Sequence, residues 1–210
     1  MEEYPDIAIV GCPGTIDNDL YGTDYTIGYD TAINTAMEAI DNIKDTANAH
    51  DRLFFVEVMG RDAGYIALRA GIATGAEEVL IPETVTDMDA LIKKLNDDYS
   101  RKKNSSIVVV AEGDDAGGAF DIAKKVSKAC PYETKVSILG HLQRGGRPTC
   151  MDRVRASRMG MTAVKALLEG RKGVMIGEVH GEITYTPFEK AIKQHMAINP
   201  ILLEMVEVLS

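Results

Sequence analysis

Short apolar runs alternate along this chain with stretches whose apolar residues recur every three or four positions. Residues 7–10 form the first run and stop at Gly11-Cys12-Pro13-Gly14, a turn signal. From 27 to 47, Ile33, Met37, Ile40, Ile43 and Ala47 fall at helical spacing. Residues 53–58 read as a strand, 62–74 as a small-residue helix closed by Gly75, and 79–81 as a buried strand stopped by Pro82. Thr86 or Asp87 caps a helix that runs to about Tyr99. A basic turn at 101–104 leads into an apolar strand at 107–111, a helix at 117–129 and a strand at 136–139. After the loop 140–148 come a long helix at 152–169, strands at 174–177 and 182–185, and helices at 188–195 and 200–208.

Repeated strand–helix alternation with continuous apolar strands predicts an α/β fold, a mainly parallel sheet with helices on both faces. Ligands of such sheets bind at the carboxyl ends of the strands. The polar loops 11–22, 59–64, 112–118 and 140–148 all follow predicted strands, so candidate chemistry belongs there. No internal repeat or low-complexity segment interrupts the pattern.

Composition narrows the partners. The chain has 210 residues, 45% hydrophobic and 26% charged, the balance of an ordinary globular protein. A net charge of −9 argues against a nucleic-acid protein, but small anions need only a local cluster of cations. Cys12, Cys130 and Cys150 have no metal-ligand spacing and fit a reducing cytosol. The acidic first residues do not read as a signal peptide. No run approaches the roughly 18–20 apolar residues of a membrane span. These features predict a cytoplasmic protein.

Three loops carry residue types suited to phosphate and sugar chemistry. In Pro13-Gly14-Thr15-Ile16-Asp17-Asn18-Asp19, glycine admits close backbone approach, Thr15 offers a hydroxyl, and two carboxylates stand two residues apart. One carboxylate can accept the proton of an attacking hydroxyl and its neighbour can help hold Mg²⁺; the same residues also suit turns and a helix cap. Met59-Gly60-Arg61 ends a strand, where Arg61 can grip an anion or pair with Asp62. In Gly140-His141-Leu142-Gln143-Arg144-Gly145-Gly146-Arg147, His141 and Arg144 can donate to one phosphate, or the segment is a flexible basic loop. Glu112 follows a strand and can accept from sugar hydroxyls. Arg52 precedes its strand, at the end away from these loops, so any substrate it serves lies on a neighbouring subunit.

The segments GCPGTIDNDLYGTDYTIGYDTA, VEVMGRDAG and ILGHLQRGGRP, in this order, resemble the ATP-dependent 6-phosphofructokinase family. The resemblance runs from about Ile7 to the end of the chain. It implies a phosphofructokinase-like fold with the first domain truncated. Residues 1–28 would be a remnant of the ATP domain carrying the catalytic loop, 29–147 the sugar-phosphate domain, and 148–210 C-terminal helices returning to the ATP domain. It implies glycolytic phosphoryl transfer from Mg-ATP to O1 of fructose 6-phosphate.

Residue by residue, the resemblance makes Asp17 the base, with Thr15 near the transferring group and Ile16 beside it. Asp19 would help organise Mg²⁺. Arg61 would stabilise transition-state charge, with Met59 and Gly60 lining the sugar and Glu112 binding its hydroxyls. His141 and Arg144, with Leu142 and Gln143 in the same loop, would hold the 6-phosphate. Arg52 would reach it from an adjacent subunit of a homotetramer. Lys135 stands where a second such Arg is usual and lacks its bidentate fork. Gly14 stands where pyrophosphate-dependent relatives commonly carry Lys, which favours ATP. Lys44, Glu77, Arg101 and Lys103 fall at positions resembling an allosteric effector site for ADP or phosphoenolpyruvate. The glycine-rich nucleotide loops of the family have no counterpart in these residues, so the chain is expected to be inactive alone. A pyrophosphate-dependent kinase and a non-catalytic sugar-phosphate-binding or assembly module are the alternatives.

Overall fold

A computed structural model describes residues 7–48, 52–101, 107–193 and 197–209. In chain order its strands are β1 (Val10–Gly11), β2 (Gly14–Thr15), β3 (Ile27–Gly28), β4 (Arg52–Val58), β5 (Glu78–Leu80), β6 (Ile107–Ala111), β7 (Glu133–Ile138), β8 (Val174–Val179) and β9 (Glu182–Pro187). The helices are α1 (Tyr29–Asn48), α2 (Tyr65–Thr74), α3 (Met88–Ser100), α4 (Ala119–Val126), α5 (Cys150–Leu168), α6 (Phe188–Lys193) and α7 (Pro200–Leu209). One 3₁₀ turn spans Gly140–Arg144. Among the described residues every strand pair except β8–β9 is parallel. The chain divides into two compact units, one of residues 1–31 with 147–197 and one of 32–146 with 198–210. Helix α7 therefore belongs with the second unit.

The second unit is built on a parallel sheet in the order β5-β6-β4-β7. β6 reads Ile-Val-Val-Val-Ala and is buried throughout, because both its faces are covered. Alternation sorts its neighbours by face. Leu53, Phe55, Leu80, Val108 and Val110 cluster with Leu91 and Leu95 of α3 and Ile122 and Val126 of α4. On the other face α2 lies so close that a Cβ at Gly71 would meet Val79. Each fully buried Leu, Ile, Val or Phe here contributes about 1.5–3 kcal/mol.

Local signals fix the helix ends. Asp87, not Thr86, caps α3 by accepting from Asp89 N–H and Ala90 N–H, both at 3.0 Å. Thr86 instead donates its hydroxyl to Asp114, at 2.8 Å. The start of α4 is held by Glu57 of β4, whose Oε2 accepts Ala119 N–H at 2.8 Å. A carboxylate placed at a helix N-terminus also complements the dipole. α4 ends at Val126, short of the predicted 129, and β7 starts at Glu133 rather than 136.

In the first unit β8 pairs with β1 on one side and β9 on the other, the latter through the hairpin turn at His180-Gly181. Met159 and Ala166 of α5 bury against Ile176, flanked by Val10, Ile27, Ala163 and Ile183. β1 is shorter than predicted, and Ile7 and Ile9 are exposed. The predicted polar loop 11–22 holds β2, which pairs in parallel with β3 just beyond it. Asp152 in the first turn of α5 is 3% exposed. It accepts Gly28 N–H at 3.1 Å, Thr31 N–H at 2.8 Å and the Thr31 hydroxyl. A buried carboxylate thus anchors the point where β3 turns into α1.

Candidate active site

The strand-end loops of the second unit converge on the turn Met59-Gly60-Arg61. β4 delivers this turn at its carboxyl end, and β6 and β7 deliver Glu112 and the 3₁₀ turn beside it, with Glu112 N–H on Val58 O and Leu139 N–H on Glu57 O, both 3.0 Å. Arg61 has φ 53°, in the left-handed region that a non-glycine residue seldom adopts. Its N–H donates to Glu112 Oε1 at 2.8 Å. Gly60 has φ 149°, and a Cβ there would stand 2.2 Å from Ala63 O. Gly113 is required by close approach, since its Cβ would stand 2.0 Å from Arg61 O. Met59 N–H donates to Gln143 Oε1 at 2.9 Å. The strained turn is thus tied by both neighbouring loops.

His141, Leu142 and Arg144 are exposed on the 3₁₀ turn, and Gln143 is buried. The structure brings Met59, Gly60, Arg61, Glu112 and Gln143 together and leaves the His141 and Arg144 side chains facing solvent on the same loop system. Next to Glu112, Asp114 is buried, and burial raises its pKa from its ordinary value. Bonds from Ala116 N–H and the Thr86 hydroxyl pull in the opposite direction.

In the first unit the loop after β2 is equally constrained. Asp17 is 6% exposed, and its N–H donates to Thr15 Oγ1 at 3.1 Å. Asn18 has φ 56° and is buried. Its Oδ1 accepts Thr26 N–H at 2.7 Å and its Nδ2 donates to Asp24 O at 3.1 Å. The Thr26 hydroxyl donates to Thr15 O at 2.7 Å. Ile16 and Asp19 are half-buried in the same loop. Thr26, Asp152 and Gly113 are supporting residues that the sequence alone does not single out, and Asn18 takes the turn role that its motif allows. For Asn18 a signal existed, because Asn is the residue after Gly that best tolerates the left-handed region.

Arg52 and Lys135 lie together near the amino ends of β4 and β7. Both pair with Glu133, Arg52 Nε at 2.9 Å and Lys135 Nζ at 2.6 Å. Lys135, and then Arg52, hold the Glu133 carboxyl down to about 2. Of the candidate effector residues, Lys44 donates to Thr74 O at 2.6 Å and closes the carbonyl end of α2. Glu77 is buried. Arg101 lines a cavity of about 750 Å³ with Lys93, Lys94 and Asp97, among others. Lys103 lies outside the described residues. Among the described residues no group of three His, Cys, Asp or Glu side chains could hold a metal, and no helix is long and apolar enough to cross a membrane.

The phosphofructokinase family profile matches residues 1–167, so the chain belongs to the phosphofructokinase family. It is 53% identical over 206 residues to ATP-dependent 6-phosphofructokinase 2 of Bacteroides thetaiotaomicron, covering 98% of this chain and 63% of that protein. It is 54% identical over 210 residues to ATP-dependent 6-phosphofructokinase 1 of Thermus thermophilus, covering 100% of this chain and 65% of the relative. The chain thus spans a little under two thirds of these relatives. Among solved structures, phosphofructokinase from Saccharomyces cerevisiae superposes with TM-score 0.84 at 35% identity, covering 99% of this chain and 29% of that one. A pyrophosphate-dependent phosphofructokinase from Marinobacter aquaeolei gives TM-score 0.79 at 25% identity, covering 97% and 60%.

Proposed function

We propose that the chain carries the acceptor side of phosphoryl transfer from Mg-ATP to O1 of fructose 6-phosphate, giving fructose 1,6-bisphosphate, as a cytoplasmic glycolytic kinase. The observation that carries this reading is the Arg61 turn, held in a left-handed conformation between Glu112 and Gln143 at the carboxyl end of β4. A strained backbone turn fixed by two loops, with the exposed Arg61 side chain projecting from it, suits a reaction whose catalysis is positioning and charge stabilisation. In this reading Asp17 takes the proton of the O1 hydroxyl as O1 attacks the terminal phosphoryl group. Arg61 stabilises the charge on the transferring group. Glu112 holds Arg61 N–H with one oxygen and offers the other to sugar hydroxyls. His141 and Arg144 grip the 6-phosphate, and Thr15 sits by the phosphoryl group.

Mg²⁺ would neutralise charge on the phosphates, with Asp19 helping to organise it; it is usually held by one or two carboxylates, phosphate oxygens and waters, so a three-residue cluster is not required. ATP as donor is supported by the open space at Gly14, where a Cβ would meet nothing within 4 Å, and by the names of the relatives. Arg52 and Lys135 serve a neighbouring copy in a homotetramer, where the 6-phosphate competes with Glu133 for both cations. ADP or phosphoenolpyruvate acts as effector near Lys44, Glu77 and Arg101. Residues 32–146 hold the sugar phosphate, and the first unit, with the Asp17 loop, belongs to the nucleotide domain. The test is turnover by the enzyme as the cell makes it, with ATP and with pyrophosphate as donors to fructose 6-phosphate. ATP-dependent formation of the bisphosphate is expected. Turnover with pyrophosphate alone, or with neither donor, contradicts the reading.

A further inference from the structure

Gln143 stands between the exposed His141 and Arg144 of its loop, yet it is itself 1% exposed. Its side chain reaches out of the 3₁₀ turn to Met59 N–H, 2.9 Å from Oε1. A backbone N–H can only donate, so the amide oxygen is the atom engaged. The amide nitrogen has no hydrogen-bond partner among the described residues. Met59 opens the strained turn, and two residues later Arg61 N–H is held by Glu112. The turn therefore has an anchor at each end, one from the loop after β6 and one from the loop after β7.

We propose that Gln143 is a positioning residue that clamps the Arg61 turn to the loop of His141 and Arg144. Anion binding at His141 and Arg144 and charge stabilisation at Arg61 then share one rigid link. The inference rests on the acceptor-site reading given above. The chemistry requires an acceptor at the end of a side chain of this length. Asparagine is one methylene too short, methionine fills the space without an effective acceptor, and glutamate keeps the oxygen but adds charge. Buried amides that bond a backbone group fix loop geometry in this way, and small misplacements of a phosphoryl-transfer site are costly in rate.

Three measurements test it. In the wild-type 210-residue chain, a through-hydrogen-bond scalar coupling between the Met59 amide nitrogen and the Gln143 side-chain carbonyl is expected, and it needs no variant. Gln143→Met should speed hydrogen exchange at Met59 by roughly 2–10-fold, the loss of about one net hydrogen bond. Val109, deep in β6, should stay protected. In the enzyme as the cell makes it, Gln143→Met should lower kcat by on the order of 10–10²-fold with little change in KM for fructose 6-phosphate. Gln143→Glu should restore Met59 protection and part of kcat. A missing coupling, or unchanged Met59 exchange in Gln143→Met, overturns the clamp. A raised KM with unchanged kcat overturns the positioning role. If the wild type does not turn over fructose 6-phosphate at all, the functional reading fails, and the coupling and exchange still decide the clamp.

Discussion

Adding one methyl group at Gly113 tests the Arg61 turn most severely. The new Cβ would lie 2.0 Å from Arg61 O, 3.0 Å from Arg61 C and 3.4 Å from Asp62 Cα. All three atoms are backbone, so no side chain can swing aside, and the chain must retreat by more than an ångström. Overpacking of this kind costs about 1–3 kcal/mol. For a chain of this size each kcal/mol lowers Tm by roughly 2–4 °C. The larger effect falls on rate, because moving Arg61 O also disturbs the residue whose N–H is bonded to Glu112. A misplacement near 1 Å can cost about 10²-fold. Gly113→Ala should therefore lower kcat by roughly that factor while Tm falls by roughly 2–12 °C. The assay is ATP-dependent turnover of fructose 6-phosphate by the enzyme as the cell makes it, beside a thermal melt. Wild-type kcat in a normally folded variant would refute the reasoning.

Other expectations follow from the same geometry. In the enzyme as the cell makes it, Asp17→Asn should lower kcat by about 10²–10⁴-fold with fructose 6-phosphate affinity nearly unchanged, since it removes the proposed base and keeps the shape; a near-normal kcat sinks that role. Arg144→Ala should raise KM for the sugar phosphate by roughly 10–100-fold, the loss of one charge-assisted contact of about 1.5–3 kcal/mol; an unchanged KM assigns the loop elsewhere. Glu133, held near 2 against an ordinary 4.5, should titrate well below an ordinary glutamate in an NMR titration. Its folded-state pKa is depressed, so its contribution to stability is present above about 4.5 and is lost as pH falls toward 2. A Glu133 midpoint near 4.5 would mean that Arg52 and Lys135 do not hold it in solution.

Much of this structure was legible in the sequence because burial writes a plain pattern. β4 and β6 are covered on both faces, so their apolar runs marked them to within a residue. β7 was read three residues late because Glu133, Thr134 and Lys135 are polar; that strand lies at the sheet edge and is defined by its register with β4. β1 was read too long because Ile7 and Ile9 look like core residues and are exposed. The motif loops pointed to Asp17, Arg61, His141 and Arg144 from their positions after strands. What joins the loops was not legible. The bonds from Gln143 to Met59, from Glu112 to Arg61 and from Asn18 to Thr26 span 84, 51 and 8 residues, and only the folded chain brings those groups within reach.

Binding of fructose 6-phosphate to this chain, followed residue by residue by NMR, tests the central claim most directly. Saturable shifts at His141 and Arg144, spreading to Arg61 and Glu112 and abolished by Arg144→Ala, are the predicted result. No saturable shifts, or shifts confined to the cavity around Lys93, Lys94 and Arg101, would contradict it.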